Sequence, residues 1–419
     1  MATRTAMDTG SDRWAVLTFV IGARVAVTIQ VQSVGALGPV LLAAPDLGLG
    51  YAGLGALIGA YMLPGAFVAL PAGWLTARLG ERRIVLAGLA LSVAGGLAFA
   101  VAPGFGTAFA ARLVAGAGAA LLNVVLSTMV MARFTGRALA PAMGGFLAAY
   151  PFGIGVSLVT LPALAAAALS WRAAMLGVAA GCTLALAAVP FVLKGAPTGP
   201  SPVATEGGRV GTGGRGILLH PGEWGAVLAA GVAWASLNAG YAVLLGFAPA
   251  LLAERGASPE MAGALASLAG WACIPLAPLG GALAERTGRP LLATGVCLSV
   301  TAAAALALAT SLGPQPAALV AAGLLLSVGA TVVMTLPARA LASESRAFGM
   351  GVYWTIYYVG MAALPPLAGW VADSTGGAEA ALGVAAIFLI GAVIAVAVYG
   401  RVLSRRTARA LHPMKPNSR

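Results

Sequence analysis

Between Trp14 and Gly400 the chain returns repeatedly to long apolar stretches, and this constrains its fold more than any other feature. About 20 apolar residues coiled as a helix cross a hydrocarbon core about 30 Å thick. Lipid offers the backbone no hydrogen-bond partner, so each stretch must satisfy its own N–H and C=O groups as a helix. Twelve spans are expected, over 14–43, 52–75, 84–103, 107–132, 139–166, 172–193, 224–251, 260–284, 290–311, 317–337, 347–372 and 380–400. Charged residues make up only 9% of the chain, against about 25% in soluble domains with a wet surface. An all-α, multi-pass membrane protein follows. The first span is too long for a signal-peptide core and no small-residue cleavage site follows it, so it counts as a true span.

The net charge of +12 reports topology rather than an affinity for nucleic acid. With the N-terminus inside, 20 of the 24 Lys and Arg fall in cytoplasmic segments, Arg172 and Arg255 at outer ends, and Arg24 and Arg112 within the membrane. That is the positive-inside bias, and it places both termini in the cytoplasm of a cell with this protein in its plasma (inner) membrane. The basic tail, 401–419, would touch anionic headgroups. Cys182, Cys273 and Cys297 lie within spans with no metal-ligand spacing, so no metal or other cofactor is expected.

A polar, Gly- and Pro-rich stretch over 194–223 divides the chain into an N-terminal bundle of six spans, 1–193, and a C-terminal bundle of six, 224–400. It reads as a flexible cytoplasmic linker. After the second span of each half comes a related segment, "GWLTARLGERR" and "GALAERTGRP". Gly73 matches Gly281, Arg78 matches Arg286 and Gly80 matches Gly288, with Arg82, Arg83, Glu285 and Arg289 beside them. Glycines permit a tight turn and arginines hold it to the cytoplasmic side. One copy is weak evidence; two copies in the same loop of two six-span halves point to an internal duplication, as in many secondary transporters.

On these motifs the chain resembles the major facilitator superfamily along its whole length, with "RLVAGAG" (Arg112, Gly116, Gly118) similar to the fourth-span motif. The resemblance implies twelve transmembrane helices in two pseudo-symmetric six-helix bundles, with spans 1, 4, 7 and 10 lining a central cavity. Segments such as "QSVGALGPVL", "YPFGIG" and "PPLAGWVAD" look most like the branch of cyanate, nitrate/nitrite and nitroimidazole transporters. One departure is Ala77, at a position where the superfamily usually has an acid; Glu81 is a candidate substitute.

Helical spacing puts Arg24, Thr28 and Gln32 on one stripe of span 1, and Arg112, Gly116, Asn123 and Ser127 on one of span 4. Trp234, Asn238 and Tyr241 align in span 7, and Ser327, Thr331 and Thr335 in span 10. Tyr353 and Tyr357 share a face of span 11, while Tyr61 and Tyr150 are weaker candidates. All 12 carboxylates lie in loops, tails or span ends, and His220 and His412 lie outside the spans as well. Two intramembrane guanidiniums without a resident anion, each costing about 2.5–3.5 kcal/mol at a helix centre, need a reason to be there. A small anionic solute would supply one, since guanidinium binds flat oxyanions through two parallel bonds.

The expectation is therefore a monomeric, multi-pass carrier of a small anion, inorganic or carboxylate, working by alternating access. Its binding residues would be Arg24, Thr28, Gln32, Arg112, Asn123, Trp234, Asn238, Tyr241 and Tyr357. Other roles stand beside these. Arg24 could snorkel to headgroups, Arg112 could bond carbonyls of neighbouring helices, the asparagines could join helices, and Trp234 and Tyr241 could simply pack. A drug or nitroaromatic exporter of the same fold is the alternative function. A membrane enzyme is disfavoured, because no span carries a catalytic acid, a histidine or a set of metal ligands.

Overall fold

The computed structural model describes residues 10–194, 219, 221–342 and 345–411. Most of the linker, the end of the tail, Asp8, Glu206, Glu344 and both histidines lie outside the described residues. Apart from one turn of 3-10 helix at Gly136–Ala138, the regular structure of the described residues is α-helical. The helices are α1 (Gly10–Ala36), α2 (Gly38–Leu42), α3 (Tyr51–Met62), α4 (Gly65–Leu79), α5 (Glu81–Ala100), α6 (Phe105–Arg133), α7 (Leu139–Ala167) and α8 (Trp171–Val192). Beyond the linker come α9 (Pro221–Glu254), α10 (Pro259–Leu276), α11 (Gly280–Arg286), α12 (Pro290–Ala309), α13 (Gln315–Ala340), α14 (Arg346–Thr375) and α15 (Ala378–Leu411).

Among the described residues ten helices are long and apolar enough to cross a membrane, and eleven if α10 and α11, bent by 63° at their junction, count as one span. Local sequence sets several ends. Ser258 accepts a hydrogen bond from the Met261 N–H to start α10, with Pro259 in the first turn, and Ser170 does the same for α8 through the Arg172 N–H. Breaks follow proline. Pro64 lacks the N–H that would carry α3 into α4, and Pro278 falls between α10 and α11.

The duplicated signature has a backbone cause. Gly80 and Gly288 adopt φ of 86° and 68°, a region costly for any residue with a Cβ, and each turns the chain just after α4 or α11. Each loop also carries an ion pair within its own part of the chain. Glu81 pairs with Arg133 at 2.8 Å, at the ends of α5 and α6, and Glu285 pairs with Arg339 of α13. Glu81 thus supplies an acid in the copy that has Ala77.

Helices from before and after the linker pack closely along two seams. In one, α3 lies against α14 so closely that a Cβ on Gly55 would fall 2.3 Å from the Pro365 carbonyl oxygen. In the other, α7 meets α10, where the Trp271 ring covers Gly155 and stands edge-on to Phe152. Both seams are richest toward the end of the molecule opposite the signature loops. The cavity lies between them.

Candidate functional site

A cavity of ≈ 40 Å³ is enclosed by α1, α3, α7, α9 and α14. Its polar lining is Gln32, Tyr150, Asn238 and Tyr241; Ile58, Met62, Leu245 and Met361 supply apolar wall. This volume admits a water or two, so any larger solute requires the helices to part. Gln32 donates its amide to the Leu245 carbonyl at 3.0 Å, joining α1 to α9. Tyr241 bonds the Ala269 carbonyl at 3.2 Å and lies 3.2 Å from Cys273 Sγ. Asn238 gives its N–H to its own helix, at Trp234 O (2.8 Å).

Arg24 adjoins this cavity through Tyr150. Its guanidinium lies 4.2 Å from the Phe146 ring centroid and 5.6 Å from that of Tyr150, and Nη1 donates to Asn123 Oδ1 at 2.9 Å. Tyr358 of α14 stands edge-on to Tyr357, ring centroids 4.9 Å apart. Arg24 Nε is buried without a hydrogen-bond partner. Tyr357 neighbours Arg24 and tilts against Trp234, ring centroids 6.1 Å apart, while Trp234 stacks on Tyr353 at 6.5 Å. Trp234 Nε1 and the Tyr353 hydroxyl are likewise buried and unpaired.

The remaining expected residues sit elsewhere. Arg112 is 1% exposed and bonded to backbone on all three nitrogens: Nε to Leu57 O (3.0 Å), Nη1 to Gln30 O (2.7 Å) and Nη2 to Val31 O (3.0 Å). The Tyr61 ring covers it at 4.3 Å. Thr28 is buried, returns its hydroxyl to Arg24 O and packs on Gly153. Neither lines the cavity. Tyr150, only a weak candidate by sequence, is central: it lines the cavity and its ring faces Arg24.

This geometry removes the argument for an anionic solute. The carbonyl oxygens of α1 and α3 solvate Arg112, and Arg24 has an amide oxygen and two aromatic faces, which together stabilise a buried guanidinium without any counter-ion. A charge count over side chains alone leaves out backbone carbonyls, the alternative partners of Arg112, and the ring faces beside Arg24.

Comparison with known proteins agrees with the correction. Three solved structures that resemble this chain are those of peptide transporters. A mutant of the peptide transporter POT superposes with a TM-score of 0.71 at 15% identity, covering 92% of this chain and 94% of the other. A peptide transporter POT in complex with sulfate gives 0.72 at 15% identity, with coverage of 92% and 94%. A POT family transporter in complex with a thioalcohol-conjugated peptide gives 0.67 at 13% identity, with coverage of 94% and 96%. Among curated proteins none matches. The expected placement in the cyanate, nitrate/nitrite and nitroimidazole branch, and with it the anion-transporter reading and the small anionic partner, is overturned by these likenesses. The fold is one that solved transporters share. The sequence profile of the Major Facilitator Superfamily matches residues 21–252 and 236–416, so the chain belongs to that superfamily.

Proposed function

We propose that this protein is a secondary transporter that carries short peptides, or peptide-like amides without net charge, across the plasma membrane by alternating access. The arrangement we infer is twelve spans in two six-helix bundles, 1–193 and 224–400, with the linker 194–223, the tail 401–419 and both termini cytoplasmic. Counting α3 with α4 and α10 with α11 gives six spans on each side of the linker. The twelfth is α14, which at 30 residues is long enough to cross.

The observation that carries the solute assignment is the set of unpaired buried groups: Arg24 Nε, Trp234 Nε1 and the Tyr353 hydroxyl. The first two only donate hydrogen bonds, so the missing partner supplies acceptors. Peptide carbonyls do that, and peptide N–H groups match the amide oxygens of Asn238 and Gln32. Arg24, Gln32, Asn123, Trp234, Asn238, Tyr241 and Tyr357 form the site, with Tyr150 added; Thr28 and Arg112 support it from behind. The aromatic faces of Trp234 and Tyr357 suit an ammonium end. Solved peptide transporters of the same fold, one holding a thioalcohol-conjugated peptide, support this reading.

Uptake of radiolabelled dialanine into liposomes containing the purified protein is the test. Saturable uptake above that of empty liposomes is expected, with competition by tripeptides and none by nitrate. No uptake of any di- or tripeptide would end this reading.

A further inference from the structure

Around the cavity, donors and acceptors come in pairs. Arg24 Nε and Trp234 Nε1 are buried donors without a partner. Gln32 and Asn238, both in the cavity wall, commit their amide nitrogens to backbone, at Leu245 O (3.0 Å) and Trp234 O (2.8 Å), which leaves each an oxygen as acceptor. Arg24 reaches this wall through the Tyr150 ring, 5.6 Å from its guanidinium, and Trp234 lies one helical turn from Asn238. Trp234 and Tyr357, with ring centroids 6.1 Å apart, add two apolar faces.

Charge in this region is one-sided. The helices that enclose the cavity carry four acids, Asp12 of α1, Glu223 and Glu254 of α9 and Asp373 of α14. Each stands at or near a helix end, 12–16 residues from Arg24, Asn238 or Tyr357, which is about 18–24 Å along the helix. Three of them are engaged where they stand: Glu223 accepts from the Ser345 hydroxyl, Glu254 from the Ala378 N–H and Asp373 from the Tyr51 N–H. A terminal ammonium entering the site therefore exchanges water for ring faces and amide oxygens, beside a guanidinium of its own sign. Such partners return only part of what an ammonium loses with its water.

We propose that the solutes this site prefers are cyclic dipeptides. The inference rests on the peptide reading above and narrows it. Ring closure joins the amine to the carboxyl group, so no terminal charge remains, and it sets two carbonyl acceptors and two N–H donors on one flat ring. That set complements the two donors and two acceptors of the site, and a flat ring stacks on Trp234 and Tyr357. A linear dipeptide has a single amide, and it brings an ammonium that meets no carboxylate. The cyclic solute is also stiff, so less freedom is lost on binding. The closed cavity of ≈ 40 Å³ holds neither, so both bind as the helices part.

Calorimetric titration of the purified protein at pH 7, where the amine of dialanine is protonated, separates the two solutes. Cyclo-dialanine is expected to bind about tenfold more tightly than dialanine, or better. Asn238→Asp puts a carboxylate in the wall and is expected to cut that ratio about tenfold, by strengthening the binding of dialanine. Gln32→Glu is expected to act in the same direction, and serves alone if Asn238→Asp does not fold. Equal or tighter binding of dialanine by the parent overturns the inference, and so does a ratio that neither acid variant lowers. Binding of dialanine and trialanine without binding of cyclo-dialanine overturns it too, and leaves the peptide reading in place. Binding of none of the three removes both.

Discussion

Asp373 caps the first turn of α3 from a position 322 residues away: its two carboxylate oxygens accept the Tyr51 N–H at 2.7 Å and the Ala52 N–H at 2.8 Å. The helix has no cap of its own, because Gly50 precedes it. A Cβ on Gly50 would lie 2.8 Å from Asp373 Oδ1, so the carboxylate fills the place a local capping side chain would occupy. Tyr51 adds a hydroxyl bond to Glu254 of α9, and Glu254 also accepts from the Ala378 N–H at the start of α15. In the proposed topology this clasp closes the external end. Replacing an N-cap carboxylate costs about 1 kcal/mol, or roughly a fivefold change in an equilibrium. Asp373→Ala is expected to raise the rate at which an external, impermeant maleimide labels Ile58→Cys in the cavity wall about fivefold. An unchanged rate would mean that the clasp does not hold the closed state.

Arg112 is expected to matter for stability rather than for solute. Its N–H groups bind carbonyls of α1 and α3 and so tie spans 1, 2 and 4 together, and charged hydrogen bonds of this kind contribute about 1.5–3 kcal/mol each. Arg112→Leu should lower the melting temperature of the purified protein, at a cost of about 3 kcal/mol or more. The small fraction that folds should bind dialanine with its affinity unchanged. A variant that melts like the parent but no longer binds would put Arg112 back in the site.

How much of this was written in the sequence depended on what carried the information. Apolar length, the charge distribution and the paired glycines at 80 and 288 could be read directly, because each is a property of side chains or of their absence. Asn238 and Tyr241 share a face by helical spacing, and the superfamily resemblance implied that this face meets that of Gln32 across a cavity. That Arg112 could bond carbonyls of neighbouring helices was legible as an alternative; which carbonyls was not, since carbonyls have no residue identity. The segment "YPFGIG" misled for a related reason. Tyr150 does line the cavity, but Gly153 is pressed on Thr28 and Gly155 on Trp271, so those glycines record helix contact and not solute preference.

Trp234 separates ring from donor. Trp234→Phe keeps stacking on Tyr353 and Tyr357 and loses the unpaired Nε1–H. One hydrogen bond to an uncharged partner contributes about 1 kcal/mol, so KM for dialanine should rise about fivefold with turnover little changed. Equal KM values in the two proteins would remove Nε1 from the solute site.

The two signature loops make unequal ion pairs, and their energies should differ accordingly. Side chains of Glu81 and Arg133 are 11% and 15% exposed, and Arg133 also donates to its own helix at Met129 O (3.2 Å). Glu285 and Arg339 are 53% and 41% exposed. Water and salt screen the second pair, which holds it to about 0–1 kcal/mol. The first is largely desolvated, and removing one partner leaves the other charge poorly solvated, at a cost of about 3 kcal/mol. Glu81→Gln should therefore lower the melting temperature clearly, and Glu285→Gln hardly at all. Raising salt from 0.05 to about 0.5 M shortens the screening length to a few ångströms and should erase what little effect Glu285→Gln has while leaving most of that of Glu81→Gln. Equal destabilisation by the two variants would mean that the loops bear the same load, and that the acid at the start of α5 is no firmer a latch than its counterpart.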